Sequence, residues 1–519
     1  MPASTNHETT ILMKITHGAL LAGVVLLGAC TEPTIPDYNN PSESDYAVIE
    51  TGAQLESQAI GLADADRRSH DFQILINETI ARDFYRMDGA EPRYITQTLR
   101  ANTPANSNFI GSAIFTGPFR TIRSADFFIK AVAAAPAEIP ASPGTVPVAL
   151  TAAQRQASSG WAQTWKAISY MRMIEERDTI GIPIYESPLV LSPLRFKDDV
   201  LRAITAVLDS ASTDLTAAGA IRFPFRVPTG MQAFDSAPSF NRFVQGLKAK
   251  NEVYRAFQFY AATPAGAARD TTDFSGIDQA ALTRAQAALN ASFMNRTAAQ
   301  INNGVGVFHT YAAGGDYLNP NFDPTIYRVN PRVVFEADET TPVLSGADTV
   351  RWNTNDRRVA AKVELGQNND CLARSGVRSC FLDKTNATNI TPLPILRNDE
   401  LVLLQAEIFW GQANFTGALQ IVNDVRTQAG LQPRTALSFG DVTFTTSGSK
   451  RALLREILKQ KRYQLLNESP SRWVDMRMFG LLAEMGAERG NPSTGVRILP
   501  IPLAERNARG NDLTKVDLP

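Results

Sequence analysis

After Cys30 the chain carries only two histidines, His70 and His309, and neither stands in a pattern that does chemistry. Neither belongs to an HExxH pair or lies near a second type of metal ligand at helical spacing, so each reads as an isolated core or surface residue. There is no G-x-S-x-G elbow to raise a serine nucleophile and no G-x-x-x-x-G-K-[ST] loop to cradle phosphate. Gly304-Val305-Gly306 is a fragment of a dinucleotide fingerprint with no strand before it or helix after it. Asp64-Ala65-Asp66 offers two carboxylates, but residues two apart on a helix point different ways. Glycosidase carboxylates obey no sequence spacing, and 52 acidic residues single out no pair. The expectation is a protein that is not an enzyme and holds no metal. The residues left for ligand contact are Tyr311, Tyr317, Phe322 and Tyr327. They fall in a Gly-, Asn- and Pro-rich stretch with no helical face to bury them all, so they either pack back on the body or serve as a platform.

Cys30 is the other reactive position. Met13-Lys14 and the apolar run Ala19 to Leu27 read as the basic and apolar parts of an export signal covering residues 1–29, with Met13 the expected start. The run is about half the length of a membrane span. Leu27-Gly28-Ala29-Cys30 resembles the lipobox of bacterial lipoproteins, whose small residues fit the signal peptidase and whose thiol takes a diacylglycerol. One acyl chain binds a membrane marginally and several anchor it stably, so a lipidated Cys30 is expected to hold the protein. Residues 30–45, polar and Pro-bearing, read as the tether between lipid and body. In the oxidising compartment beyond the inner membrane, Cys371 and Cys380 suit a disulfide, and with no histidine pair beside them they do not suggest zinc.

The elements that must position these residues are mostly helical. Of 519 residues, 44% are apolar and 20% charged, ample for a core and unlike a disordered chain. The net charge of -1 gives no basic field for nucleic acid. Helical periodicity covers Ala53 to Asp66, Gln73 to Arg86, Phe119 to Ala134, Trp161 to Arg177, Lys197 to Leu215, Phe240 to Tyr260 and Thr283 to Phe293. Residues 300–395 turn to Gly, Asn and aromatics, the mark of loops with short strands. Helices return at Asn398 to Trp410 and Thr416 to Ala429, an αα-hairpin closed by Gly430, and at Ser449 to Asn467. Val402, Ala406, Phe409, Ala418 and Val422 take the large, small, aromatic, small, large order of a tetratricopeptide pair. The predicted fold is mainly α, with tetratricopeptide-like hairpins forming a right-handed superhelical scaffold. It is one domain over 46–519, made of helical groups 46–295 and 396–519 around a loop-rich insertion, 296–395, carrying short strands.

The last third has a family likeness. Leu396 to Leu401 followed by Gln405-Ala406-Glu407 resembles the "LLRYAEVLLMYAEA" helix of the SusD/RagB outer-membrane nutrient-binding lipoproteins. Asn423 to Leu431 resembles that family's "N.VR.RAGL", and Arg462 to Gly480, with Arg472-Trp473-Val474-Asp475-Met476-Arg477, its "R.ELAFEG.RWFDL.RWG". Leu499 to Pro502 with Glu505 and Asn507 is similar to its closing "PIP..E...N". Weaker likenesses are Phe119 to Asp126, Gly181 to Ile184 and Asp356-Arg357-Arg358. Lys461, Gln464 and Pro470 depart from the family pattern. Arg472, Trp473, Asp475 and Arg477 are expected to hold the last helices together rather than touch a ligand.

The resemblance implies a non-catalytic lipoprotein on the outer face of the outer membrane. Such a protein binds a glycan or peptide nutrient and passes it to a SusC-like TonB-dependent transporter, with no cofactor beyond the lipid on Cys30 and no indication of bound calcium. A helical scaffold subunit of an outer-membrane complex and a lipid-anchored hydrolase are the alternatives.

Overall fold

Thr51 starts the first long helix, α1 (Gly52–Ile80), through a capping box: its side chain accepts from the Gln54 amide while the Gln54 side chain accepts from the Thr51 amide. The computed structural model describes residues 48–99, 104, 109–110, 113–140, 147–187, 191–260, 274–297, 301, 304–313, 317–345, 349–366, 370–485 and 496–510. The export signal 1–29 with its start at Met13, the tether 30–45 and Cys30 lie outside them. The described residues belong to one compact unit.

Two expected helices, Ala53 to Asp66 and Gln73 to Arg86, are a single one. The polar stretch between them does not break the helix because Ser69, His70, Asp71 and Gln73 are buried, three of their side chains bonding across to other elements. The helix stops at Ile80, not Arg86: Arg82 adopts a positive φ of 62°, and Phe84–Arg86 becomes strand β1.

The helices α2 (Ala113–Ala134), α3 (Ala152–Arg177), α4 (Lys197–Ala218), α5 (Ala237–Phe257) and α6 (Gln279–Ala291) follow. Pro118 sits near the start of α2, just past a kink at Ile114, where its missing N–H costs little. A second capping box, Thr151 with Gln154, begins α3 nine residues before Trp161. Trp161 and Trp165 are wholly buried, and Trp161 packs edge-on to Phe223 and Phe225 at 5.4 and 5.5 Å. Gly181 takes φ 79° so that the chain can turn against the next strand; a Cβ there would fall 1.9 Å from the Arg195 carbonyl oxygen.

In the C-terminal group, α7 (Asn398–Gly411) and α8 (Phe415–Gln428) form the hairpin, with Val402, Ala406, Ala418 and Val422 fully buried and Phe409 half-buried. Gly411 brings α7 against α5 and α6, since a Cβ there would meet Phe257 at 2.7 Å and Leu282 at 2.8 Å. Then come α9 (Ser447–Gln464) and α10 (Ser471–Met478). None of the described helices is long and apolar enough to cross a membrane.

The strands β2 (Gly306–His309), β3 (Tyr327–Val329), β4 (Thr340–Ser345), β5 (Thr349–Thr354), β6 (Val363–Leu365), β7 (Leu372–Arg374), β8 (Val377–Ser379), β9 (Phe381–Asp383) and β10 (Leu393–Arg397) come from the insertion. One antiparallel sheet has the order β1-β3-β9-β6, with Phe84 opposite Val329 and Val363 opposite Asp383. Its edge strand β1 is thus lent by the N-terminal helical group. β2 pairs with β10, placing His309 opposite Leu393. The hairpin β7–β8 lies between Cys371 and Cys380, which are joined as a disulfide.

Candidate functional site

The stretch Tyr317 to Tyr327 has almost no strand ladder to hold it, and its own side chains do that work. Asn319 donates through its amide to Asn386 Oδ1 at 3.0 Å and the Thr391 carbonyl at 2.8 Å, and its Oδ1 accepts from the Asn321 backbone at 2.9 Å. Asn321 reaches back to the Asp71 carbonyl on α1 at 3.0 Å. Asp323 accepts from both the backbone and hydroxyl of Thr325. The Asn and Asp residues that mark the stretch as a loop are the ones that rigidify it.

This frame opens an exposed recess of about 650 Å³ lined by Tyr317, Leu318, Asn319, Pro320, Phe322 and Asn389, among others. Leu318 is 41% exposed, and Tyr317 and Phe322 are half-buried. Arg67 and Arg68 of α1 stand over the Tyr317 ring at 5.4 and 4.8 Å, and its hydroxyl is hydrogen-bonded to Asp71. Burial pushes the Asp71 carboxyl up to about 7.

Only two of the four expected aromatics reach this recess. Tyr311 and Tyr327 are interior residues that pack back on the body, one of the two roles open to these rings. Tyr327 lies in β3, 2% exposed, with its ring 5.1 Å from Phe84 and its hydroxyl donating to the Pro320 carbonyl at 2.6 Å. Tyr311 packs with Ile74 and Leu393 beside Tyr317. Pairing with β1, which the sequence hides as a helix end, is what takes Tyr327 inside.

The two histidines are not isolated. Asp66 and Arg172 form a buried pair through two nitrogens, with Arg172 Nη2 at 2.6 Å from Asp66 Oδ2. His309 Nε2 donates to the same Oδ2 at 2.8 Å. Arg172 donates to His70 Nδ1 at 2.6 Å, so His70 carries its proton on Nε2 and donates to the Pro394 carbonyl at 2.7 Å. Burial, with Arg172 close by, lowers the pKa of both rings and keeps them neutral. Asp66 is 1% and His309 4% exposed, so this His–Asp contact has no face for a substrate and ties α1, α3 and β2 together. Asp64, two residues away, points out to Arg67 with its side chain 47% exposed. Ala59, Leu62, Asp66, His70, Gln73 and Asn77 are all buried at helical spacing on α1, so the polar members continue an apolar stripe. That continuation was the signal available in the sequence. Among the described residues no three of His, Cys, Asp and Glu gather as a metal cluster.

The residues that carry the family likeness build structure. Trp473 is fully buried and donates to the Val496 carbonyl at 2.7 Å. Arg477 donates to the Glu175 and Arg497 carbonyls. Asp356 and Arg358 form a two-pronged pair, and Arg358 goes on to Gln460 at 2.8 Å. Lys461, where the family pattern differs, sits between Glu407 at 2.8 Å and Asp475 at 2.9 Å. Burial works against its charge, but Asp475 and Glu407 outweigh it and hold its pKa up.

No protein-family profile and no curated protein matches the sequence. Solved structures do match the fold. A SusD superfamily protein from Bacteroides fragilis superposes with a TM-score of 0.60 at 15% identity, over 89% of this chain and 98% of that one. A laminarin-binding SusD-like protein gives 0.53 at 13% identity, over 88% and 97%. Surface glycan-binding protein A from Bacteroides uniformis gives 0.56 at 14% identity, over 88% and 98%. The chain therefore has the SusD-like fold, mainly α with tetratricopeptide-like hairpins.

Proposed function

We propose that this protein is a lipid-anchored SusD/RagB family member that binds carbohydrate at the recess of Tyr317, Leu318 and Phe322. It delivers the sugar to a SusC-like TonB-dependent transporter in the outer membrane and catalyses nothing itself. The observation that carries the reading is an open aromatic recess with a polar rim, held rigid on a SusD-like fold. Sugar rings lay their C–H faces on aromatic rings, while Asn389 and Asp323 at the rim suit hydroxyl groups. The two glycan-binding relatives in fold support a sugar over a peptide.

Calorimetric titration against glycan and peptide panels tests it. Phe322→Ala should weaken the sugar that binds by about 1–3 kcal/mol, roughly 5- to 150-fold, with melting little changed. Tyr311→Phe is the control, since among the described residues the buried Tyr311 hydroxyl has no hydrogen-bond partner. It should leave affinity unchanged and melting equal or higher. Peptide binding alone, or Phe322→Ala without effect on affinity, overturns the recess reading. Anchoring is tested separately: Cys30→Ala should release the protein from the membrane fraction of cells lacking the transporter, and retention there refutes the lipid anchor.

A further inference from the structure

A cleft of about 230 Å³ lies between α9 and α10 and shares no residue with the recess. Its apolar floor is Leu458, Met476 and Leu481, and four cations surround it. Arg455, Leu458, Lys459 and Arg462 fall at i, i+3, i+4 and i+7 of α9 and so share one face.

The carboxylates around the cleft are already taken. Arg455 is held by both oxygens of Glu484, at 2.7 and 2.5 Å. Lys459 reaches Asp338 at 2.5 Å, and Asp475 belongs to Lys461. Arg462 binds Glu336 at 2.6 Å and Asp83 at 2.8 Å. Arg472 is left to share Asp83 with Arg462, both crowding the same Oδ1, and among the described residues it has no other carboxylate within ion-pair distance. Its side chain is 12% exposed. Glu78 forms no ion pair with Arg472 among the described residues, and burial and the neighbouring Asp83 push its pKa well up. Burial and the adjacent Arg462 accordingly pull Arg472 down to about 10. A buried guanidinium crowded by a like charge is the group an incoming anion relieves most.

We propose that this cleft is a second binding site, for a small carboxylate whose charged end pairs with Arg472 and whose apolar part lies on Leu458, Met476 and Leu481. The inference does not depend on the carbohydrate reading.

The probe is sodium hexanoate, with 1-hexanol as its uncharged counterpart, titrated calorimetrically into the mature protein. Hexanoate should bind saturably, hexanol at least tenfold more weakly, and Arg472→Gln should cost hexanoate tenfold or more. Met476→Trp, which fills the cleft and keeps Arg472, should abolish binding and decides the matter if Arg472→Gln does not fold. Equal binding of hexanol, no heat with hexanoate, or an unchanged affinity in either folded variant overturns the proposal.

Discussion

Asp66→Asn removes one charge from a deeply enclosed ion pair. Asp66 and Arg172 are 1% and 5% exposed, so neither can turn to water when its partner is lost. The variant strands a buried guanidinium with only neutral partners, His70 Nδ1 and, at 3.0 Å, Gln73 Oε1. Breaking one side of such a pair costs about 3–5 kcal/mol. With about 2.1 cal/mol/K of unfolding entropy per residue, a body of roughly 470 residues unfolds with about 1 kcal/mol/K. The melting temperature should therefore fall by about 3–5 °C if the body unfolds in one step. Arg172→Met alone should cost a similar amount by stranding Asp66. The double variant should lose about as much as either single one, because the second substitution removes the stranded charge while the cavity beside the methionine and the unpaired His70 Nδ1 keep it from recovering fully. Thermal unfolding followed by circular dichroism at 222 nm reads all three. A shift below 1 °C for Asp66→Asn, or losses that simply add in the double variant, would refute the reasoning.

Two further perturbations have defined outcomes. The folded protein holds a proton on Asp71 up to about pH 7, while the unfolded chain releases it near the ordinary 3.8. Its contribution to stability is thus complete below about pH 4 and is lost as pH rises through 7. Asp71→Asn should flatten the fall in melting temperature between pH 4 and 8 relative to the parent, and parallel curves would contradict it. For Cys371 and Cys380, closing a loop of nine residues' separation is worth up to about 2.5 kcal/mol by chain entropy, so Cys371→Ser with Cys380→Ser should lower stability by no more than that. Two reactive thiols in the denatured, unreduced mature protein would show that no disulfide forms.

The helical groups were legible because apolar residues recur at helical spacing: Ala418, Val422 and Val425 are buried on α8, and Leu401, Leu404 and Ile408 on α7, a helix buried on nearly every side. The union of the first two helices was not, because periodicity of apolar residues stops at the polar run Asp66 to Gln73. That run is buried through partners hundreds of positions away, such as Pro394 for His70. Strand β1 was hidden for the same reason, since three residues become a strand only when Tyr327–Val329 arrives beside them. At the recess the sequence located the loop and could not sort its rings. Tyr317 and Phe322 differ from Tyr311 and Tyr327 by register and pairing, not by composition.

The side-chain hydrogen bonds of Asn319, Asn321 and Asp323 have a thermodynamic consequence for any ligand of that loop. A segment already fixed before binding loses little backbone freedom on complex formation, so less of the contact energy is spent on ordering and more appears as affinity. Association should then proceed without a slow conformational phase, and amide exchange over 319–327 should be slow in the free protein and scarcely slower in the complex.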